Sequence, residues 1–234
     1  MQFFSYLING ISLGSVYALI ALGYTMVYGI AKMLNFAHGD VIMVGSYVVY
    51  FAFGASGLDP VLSIVLSMIV CTILGVVIER LAYRPLREAP SLAVLITAIG
   101  VSYLLQQVAQ LSWSSNPKSF TSVVSGMKPV SLFGGQLTIS AETIVTIVAC
   151  VVIMVVLMWF VNYTPAGHAM LAVSEDRAAA QLMGVNVNGT ISLTFAIGSA
   201  LAAVAGALLC SSYPTLQPTT GAMPGIKAFV AAVF

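Results

Sequence analysis

The sequence predicts an all-α, polytopic membrane protein with about six complete transmembrane helices, a truncated seventh, and a broken helix near residues 31–40. Three observations lead there. Of 234 residues, 60% are hydrophobic and only 6% are charged, against roughly 25% charged in an average soluble domain. The mean hydropathy is +1.04. The apolar residues also gather into runs separated by short polar segments, and a helix needs about 20 residues to cross the hydrocarbon core. So few charges cannot cover a water-soluble surface. A net charge of +1 without a basic stripe gives no footprint for nucleic acid.

In chain order, the N-terminus lacks a basic region and a small-residue cleavage site, so it reads as the start of the first span. That span covers about Tyr6 to Ile30, and Gly10 and Gly14 in it form a GxxxG pair that allows close helix approach. The next apolar stretch, Val41 to Phe53, is too short to cross alone. It reaches span length only if the polar NFAHG piece before it lies in the membrane too. Span 3 runs from about Pro60 to Ile78, followed by a hydrophilic patch from Glu79 to Glu88 with three arginines. Span 4 is about Ser91 to Leu111, with Gln106, Gln107 and Gln110 near its end. A Ser/Pro/Gly-rich loop, roughly Ser112 to Ser140, leads to span 5, about Ala141 to Phe160.

Residues 162–190 separate span 5 from span 6, about Ile191 to Ser211. In span 6, Gly198, Ala202 and Gly206 recur every fourth residue. Such a face suits tight helix packing, although Gly and Ala are also common in membrane helices generally. The punctuated segment 213–225 then precedes a short apolar run, which reads as an incomplete span. Cys71, Cys150 and Cys210 each sit in an apolar run, as buried small side chains rather than a disulfide frame or metal site.

The Lys/Arg count sets orientation. Lys32, Arg80, Arg84, Arg87 and Arg177 fall on one side, and Lys118, Lys128 and Lys227 on the other. The first side is therefore cytoplasmic, and the N-terminus and the 112–140 loop are outside.

Two segments carry the candidate function. The first is Asn35, Phe36, His38, Gly39 and Asp40. A charge at mid-bilayer costs roughly 2.5–3.5 kcal/mol even on lenient scales, so such residues usually face a cavity or a partner. Broken helices at membrane depth line cavities and offer helix ends to polar solutes. A connecting loop at the membrane surface is the alternative, and span length favours the path element. A similar interruption, 217–225, lies in the second half, and paired interruptions point to a site between them.

The second segment is Gly167 to Asn188. Ser174 reads as an N-cap, Glu175 and Asp176 suit the positive end of a helix, and Gly184 is the expected stop. It is either a solvated loop or a connector to a partner that supplies work. No catalytic motif or metal-ligand spacing is present, and no cofactor is called for.

Three stretches are similar to a known family. GISLGSVYALIALGYTMVYGIAKMLNFAHGDVIMVGSY, YRPLR followed by LAVLITAIGVSYLLQ, and SEDRAAAQLMGVNVNGTISLTFAIGSALAAVAGAL resemble the permease subunits of branched-chain amino-acid ABC transporters of the LivH type. The resemblance covers essentially the whole chain, as one transmembrane domain, 1–234. It implies a multi-pass subunit of the bacterial inner membrane, embedded in lipid, and not itself an enzyme. It would pair with a second related permease, contact two cytoplasmic ATPases, and receive substrate from a periplasmic binding protein. The family's loop motif is Glu-Ala-Ala-x-x-x-Gly. Ala179, Ala180 and Gly184 occupy its Ala-Ala and Gly positions, Ala178 stands in the Glu position, and the acids Glu175 and Asp176 lie just upstream. Members of the family continue through an eighth span, so the chain reads as C-terminally truncated.

The implied substrates are leucine, isoleucine and valine, with urea or short amides as the alternative within related permeases. An ion-coupled secondary transporter or channel, with His38 and Asp40 as ion ligands, and a non-transporting membrane scaffold are the readings from other classes.

Overall fold

The computed structural model describes residues 2–87, 89–124, 129–132 and 137–233. Among them, five helices are long and apolar enough to cross a membrane. The first, α1 (Gln2–Ala31), is 30 residues long. It stops where Lys32 adopts a left-handed backbone, φ 52°. Residues 32–37 are irregular, and helix resumes as α2 (His38–Val49), which continues through a π-helical turn, Tyr50–Ala55. Residues 32–37 are not helical, and α2 has only 12 residues of regular helix, ten of them buried. It is not among the five helices long and apolar enough to cross a membrane, and with the π turn its helical stretch runs from His38 to Ala55.

The other spanning helices begin and end on local signals. Asp59 caps α3 (Pro60–Ile78), its carboxylate accepting from the Val61 amide at 2.9 Å, and Pro60 takes the first helical position. Beyond α3 the chain widens into a π turn, Glu79–Tyr83, and then tightens into a 3-10 turn, Arg84–Leu86. Then come α4 (Ser91–Trp113) and α5 (Ala141–Tyr163), the latter capped by Ser140. Both expose many large apolar side chains, among them Ile96, Leu104, Val152 and Met158, as a surface against lipid tails requires.

Among the described residues, four short strands lie beyond the end of α4, before α5 and after α8, at one end of the bundle. β1 (Lys118–Ser119) pairs antiparallel with β4 (Thr215–Leu216), and β2 (Val130–Leu132) with β3 (Leu137–Ile139). Between α5 and the last long helix lie α6 (Pro165–Glu175) and α7 (Arg177–Leu182).

That last long helix, α8 (Val187–Ser212), is the hub: it packs against α1, α2 and α3. Small residues make this possible. A Cβ at Gly198 would lie 3.2 Å from the Gly23 carbonyl oxygen of α1, and one at Gly206 2.6 Å from the Ile42 carbonyl oxygen of α2. Ala202, between them, is fully buried. On the neighbouring stripe, Ser199 sits against Gly75 of α3 and Ala203 against Gly45 of α2. The GxxxG pair in α1 behaves otherwise. No atom within reach of Gly10 or Gly14 would meet an added Cβ, because both lie on the exposed face of α1. The close approach expected there is not made among the described residues. Cys71, Cys150 and Cys210 are free and buried.

The chain finishes on α9 (Ala222–Val233), a short apolar helix laid against α1 and α2. It moves Lys227 from the outer side, where the charge count placed it, to a position over the Tyr17 ring, within α1, at 5.8 Å. Lys128 lies outside the described residues.

Candidate translocation site

The irregular segment 32–37 and the first turn of α2 carry the polar cluster into the bundle. Asn35, His38 and Asp40 are all buried, at 5%, 1% and 2% exposure. Each faces a different helix. Asn35 accepts a hydrogen bond from the Tyr83 hydroxyl through Oδ1 at 2.9 Å. Asp40 accepts one from Gln106 of α4 through Oδ1, also at 2.9 Å, and Gln106 donates further to Ser102. The His38 ring lies against Tyr24 of α1, centroids 4.5 Å apart. Room for it comes from Gly23, where a Cβ would sit 2.6 Å from Nε2. That Nε2 is buried with no hydrogen-bond partner among the described residues. Phe36 is half-buried against Phe229 of α9 at 5.0 Å. His38 is level with a residue eight positions before the end of α1, about 12 Å in from that end at 1.5 Å per residue.

The two interruptions noticed in sequence meet. Gly39, in the first turn of α2, touches the chain just before α9: a Cβ on Gly39 would lie 2.6 Å from the Gly221 carbonyl oxygen, and one on Gly225 3.0 Å from the Gly39 Cα. Two helix starts thus abut backbone to backbone inside the bundle. Helix starts carry partial positive charge and unsatisfied N–H groups, which favour anionic groups.

Tyr83, Gln106, Tyr24 and Gly23 complete this cluster and were not singled out from sequence. Gln106 had a visible signal, as an amide inside an apolar run. Tyr83 had none, because its stretch reads as a surface loop. Glu79 is the larger surprise. It belongs to the hydrophilic patch by sequence, yet it is fully buried, ion-paired with Arg87 and accepting from Ser192 of α8 at 2.6 Å. Arg87 also donates to Asn188 at the start of α8.

At the same end lie α6 and α7, and here a correction is needed. Ser174 does not cap a helix running from Glu175 to Gly184. It sits in the last turn of α6 and donates to the Leu171 carbonyl, while Glu175 ends α6 and is exposed. The cap is Asp176, in an extended conformation, whose carboxylate accepts from the Ala178 and Ala179 amides at 2.8 and 3.1 Å. Thr164 caps α6 in the same way, followed by Pro165. Gly184 does end α7: its φ is +86°, and the Val185 amide donates to Ala180 while the Gly184 amide donates to Gln181. This is a Schellman closure, which a residue with a Cβ resists. Ala179 faces out and Ala180 is buried. Replacing Asp176 with Ala should cost about 1 kcal/mol through the lost cap, seen as faster amide exchange confined to residues 177–182. Unchanged exchange there would count against the capping assignment.

Arg177 reaches from α7 to the Ala31 carbonyl, where α1 stops. At the tip of α7, Leu182 and Met183 are 89% and 84% exposed. Neither was read from sequence as a contact.

A cavity of about 520 Å³ opens at the opposite end of the bundle, between the start of α1, the start of α5 and the end of α8, with Ser12, Glu142 and Tyr213 in its wall.

Comparison with known proteins agrees with this architecture. The family model described as "Branched-chain amino acid transport system / permease component" matches residues 6–234. The chain is 44% identical to the high-affinity branched-chain amino acid transport system permease protein BraD of Pseudomonas aeruginosa, over 97% of this chain and 77% of that protein. It is 41% identical to the corresponding protein LivH of Escherichia coli, over 100% and 79%. A probable branched-chain amino acid transport permease protein LivH of Methanocaldococcus jannaschii is 31% identical, over 92% and 68%. No solved structure matches the chain. The chain therefore belongs to the branched-chain amino acid transport permease family, as a multi-pass membrane component of a transport system.

Proposed function

We propose that this chain is a permease subunit of an ATP-driven importer of branched-chain amino acids in the bacterial inner membrane, and that solute crosses it at the junction of α2 and α9. The observation that carries the reading is the meeting of two interrupted helices at Gly39 and Gly221, beside the buried polar groups of Asn35, His38 and Asp40. A zwitterion needs polar partners for its charged ends and weak apolar contact for its side chain. Helix starts suit the carboxylate and Asp40 the ammonium. The outer cavity with Glu142 offers an entrance on the side where a periplasmic binding protein would dock. Selection among amino acids is left mainly to that protein.

Coupling falls to residues 162–190. Leu182 and Met183 project from α7 as an apolar tip that two cytoplasmic ATPase subunits, one under each permease of a heterodimer, would cover. Arg177 ties the other end of α7 to the end of α1, so movement of α7 is passed towards the broken segment.

The test separates path from coupling. Asp40→Asn and Asn35→Ala in the assembled transporter should lower leucine uptake at least tenfold with ATPase association intact. Gly184→Pro and Glu175→Lys should weaken co-purification of the ATPase subunits with membrane insertion unaffected. Normal uptake in the first pair removes the path assignment, and normal co-purification in the second removes the coupling assignment.

A further inference from the structure

Lys32, Arg87 and Arg177 come together at the end of the bundle that the charge count places in the cytoplasm. They share the wall of a cavity of about 240 Å³ between the end of α1 and the start of α4. Arg87 and Arg177 also line an adjoining cavity of about 400 Å³ beside the start of α8. No carboxylate lines either cavity among the described residues. The nearby acids are otherwise engaged: Glu79 is held by Arg87 and Ser192, Asp176 by the α7 amides, and Glu175 is exposed. Among the described residues, three positive charges therefore face one engaged negative charge; Glu88, next to Arg87 in the chain, lies outside them. The Arg87 Nε is buried and has no partner among the described residues. Arg177 is held below the usual guanidinium range, by its burial first and by the neighbouring Arg87 charge second. Both causes oppose its charge, and a bound anion relieves the second.

The rest of the wall suits the same ligand. Ser91 opens α4, whose N-terminus has no side-chain cap, and free helix starts receive anions. Arginine's planar fork matches phosphate oxygens. Basic pockets between transmembrane helices at the cytoplasmic surface also lie at the depth of lipid headgroups.

We propose that the Lys32–Arg87–Arg177 cavity binds a phosphate group, carried by an anionic phospholipid headgroup or by free phosphate. The site joins the end of α1, the start of α4 and the first residue of α7, so its occupant clamps the coupling segment to the helix break. The binding does not depend on the substrate carried.

The experiment uses the purified complete transporter in a neutral detergent. Thermal midpoint and lipid retention by native mass spectrometry are followed with phosphatidylglycerol, phosphatidylcholine or inorganic phosphate added. Phosphatidylglycerol should raise the midpoint and stay bound, with phosphatidylcholine having little effect. Lys32→Gln and Arg177→Gln should each weaken the phosphatidylglycerol response about tenfold in concentration. Lys32→Gln keeps the Arg177 bond to Ala31 and guards against a mere folding defect. A response to inorganic phosphate alone, lost in the same variants, also supports the site and identifies the free ion as its source. Equal responses to both lipids, or wild-type responses in both variants, overturn the proposal. So does failure of every phosphate probe to bind the complete transporter.

Discussion

Gly221→Val should abolish uptake and lower the thermal midpoint of the transporter, while Gly10→Val should leave the fold of this chain intact. The contrast follows from what each new side chain meets. A Cβ at Gly221 would overlap the carbonyl oxygen of Gly39, with the Gly39 carbonyl carbon just behind it. Both are backbone atoms in the first turn of a helix that is almost wholly buried, so no flexible side chain can swing away. Either the start of α9 withdraws or α2 shifts against α8, where Gly206 already approaches the Ile42 carbonyl oxygen as closely as a glycine permits. Overpacking of this kind costs roughly 1–3 kcal/mol, occasionally more, and backbone-on-backbone overlap belongs at the upper end. At Gly10 no atom lies within 4 Å of the added Cβ, and surface changes of that sort stay within about 0.5 kcal/mol. Thermal unfolding in detergent and leucine uptake in reconstituted vesicles read both variants. Equal midpoints for the two would show that the α2–α9 junction is not closed as described.

Removing the carboxylate of Glu79 should be the most damaging single change at the end of the bundle where α3 stops and α8 starts. Glu79 is fully buried and Arg87 is 11% exposed. Breaking a buried pair by deleting one partner costs roughly 3–5 kcal/mol, because the remaining charge is left without compensation. Glu79→Ala also deprives Ser192 of its acceptor and loosens the join between the end of α3 and the start of α8. Replacing both partners with apolar residues of similar length, Glu79→Met with Arg87→Met, should recover most of that loss, since desolvation of both ions is avoided. A double variant as unstable as Glu79→Ala alone would mean that the join depends on the charges themselves.

Much of this was legible in the sequence, and the part that was not has a common cause. The spans, the buried cysteines, the small face of α8 and the break before α2 follow from hydropathy, residue size and span length, which are local properties. The meeting of the two interruptions could be suspected from their composition, but only the fold brings Gly39 to Gly221. Glu79 and Tyr83 were hidden because they sit in a stretch as polar as any surface loop. Their burial depends on α3 continuing through π and 3-10 turns underneath α8, which no periodicity announces. The cap of α7 was misplaced by two residues because Ser174, Glu175 and Asp176 all carry oxygen acceptors. The extended backbone at Asp176, which decides among them, is set by the corner between α6 and α7. Lys227 was read as a flanking charge, whereas a short helix folded back into the bundle brings it beside Tyr17, midway along α1, and a charge count does not distinguish the two.

The junction at Gly39 and Gly221 contains no side chains at its point of closest approach. A lock built of side chains can recognise shape, whereas one built of peptide groups offers every visitor the same amides and carbonyls. A solute crossing there would be met by its common ends, carboxylate and ammonium, and not by the methyl groups that distinguish valine from leucine. Such a passage trades discrimination for throughput, and it tolerates any member of a class that an upstream protein has already sorted. It also leaves little freedom for evolution to retune the transporter at this point, since any residue larger than glycine forces the two backbones apart.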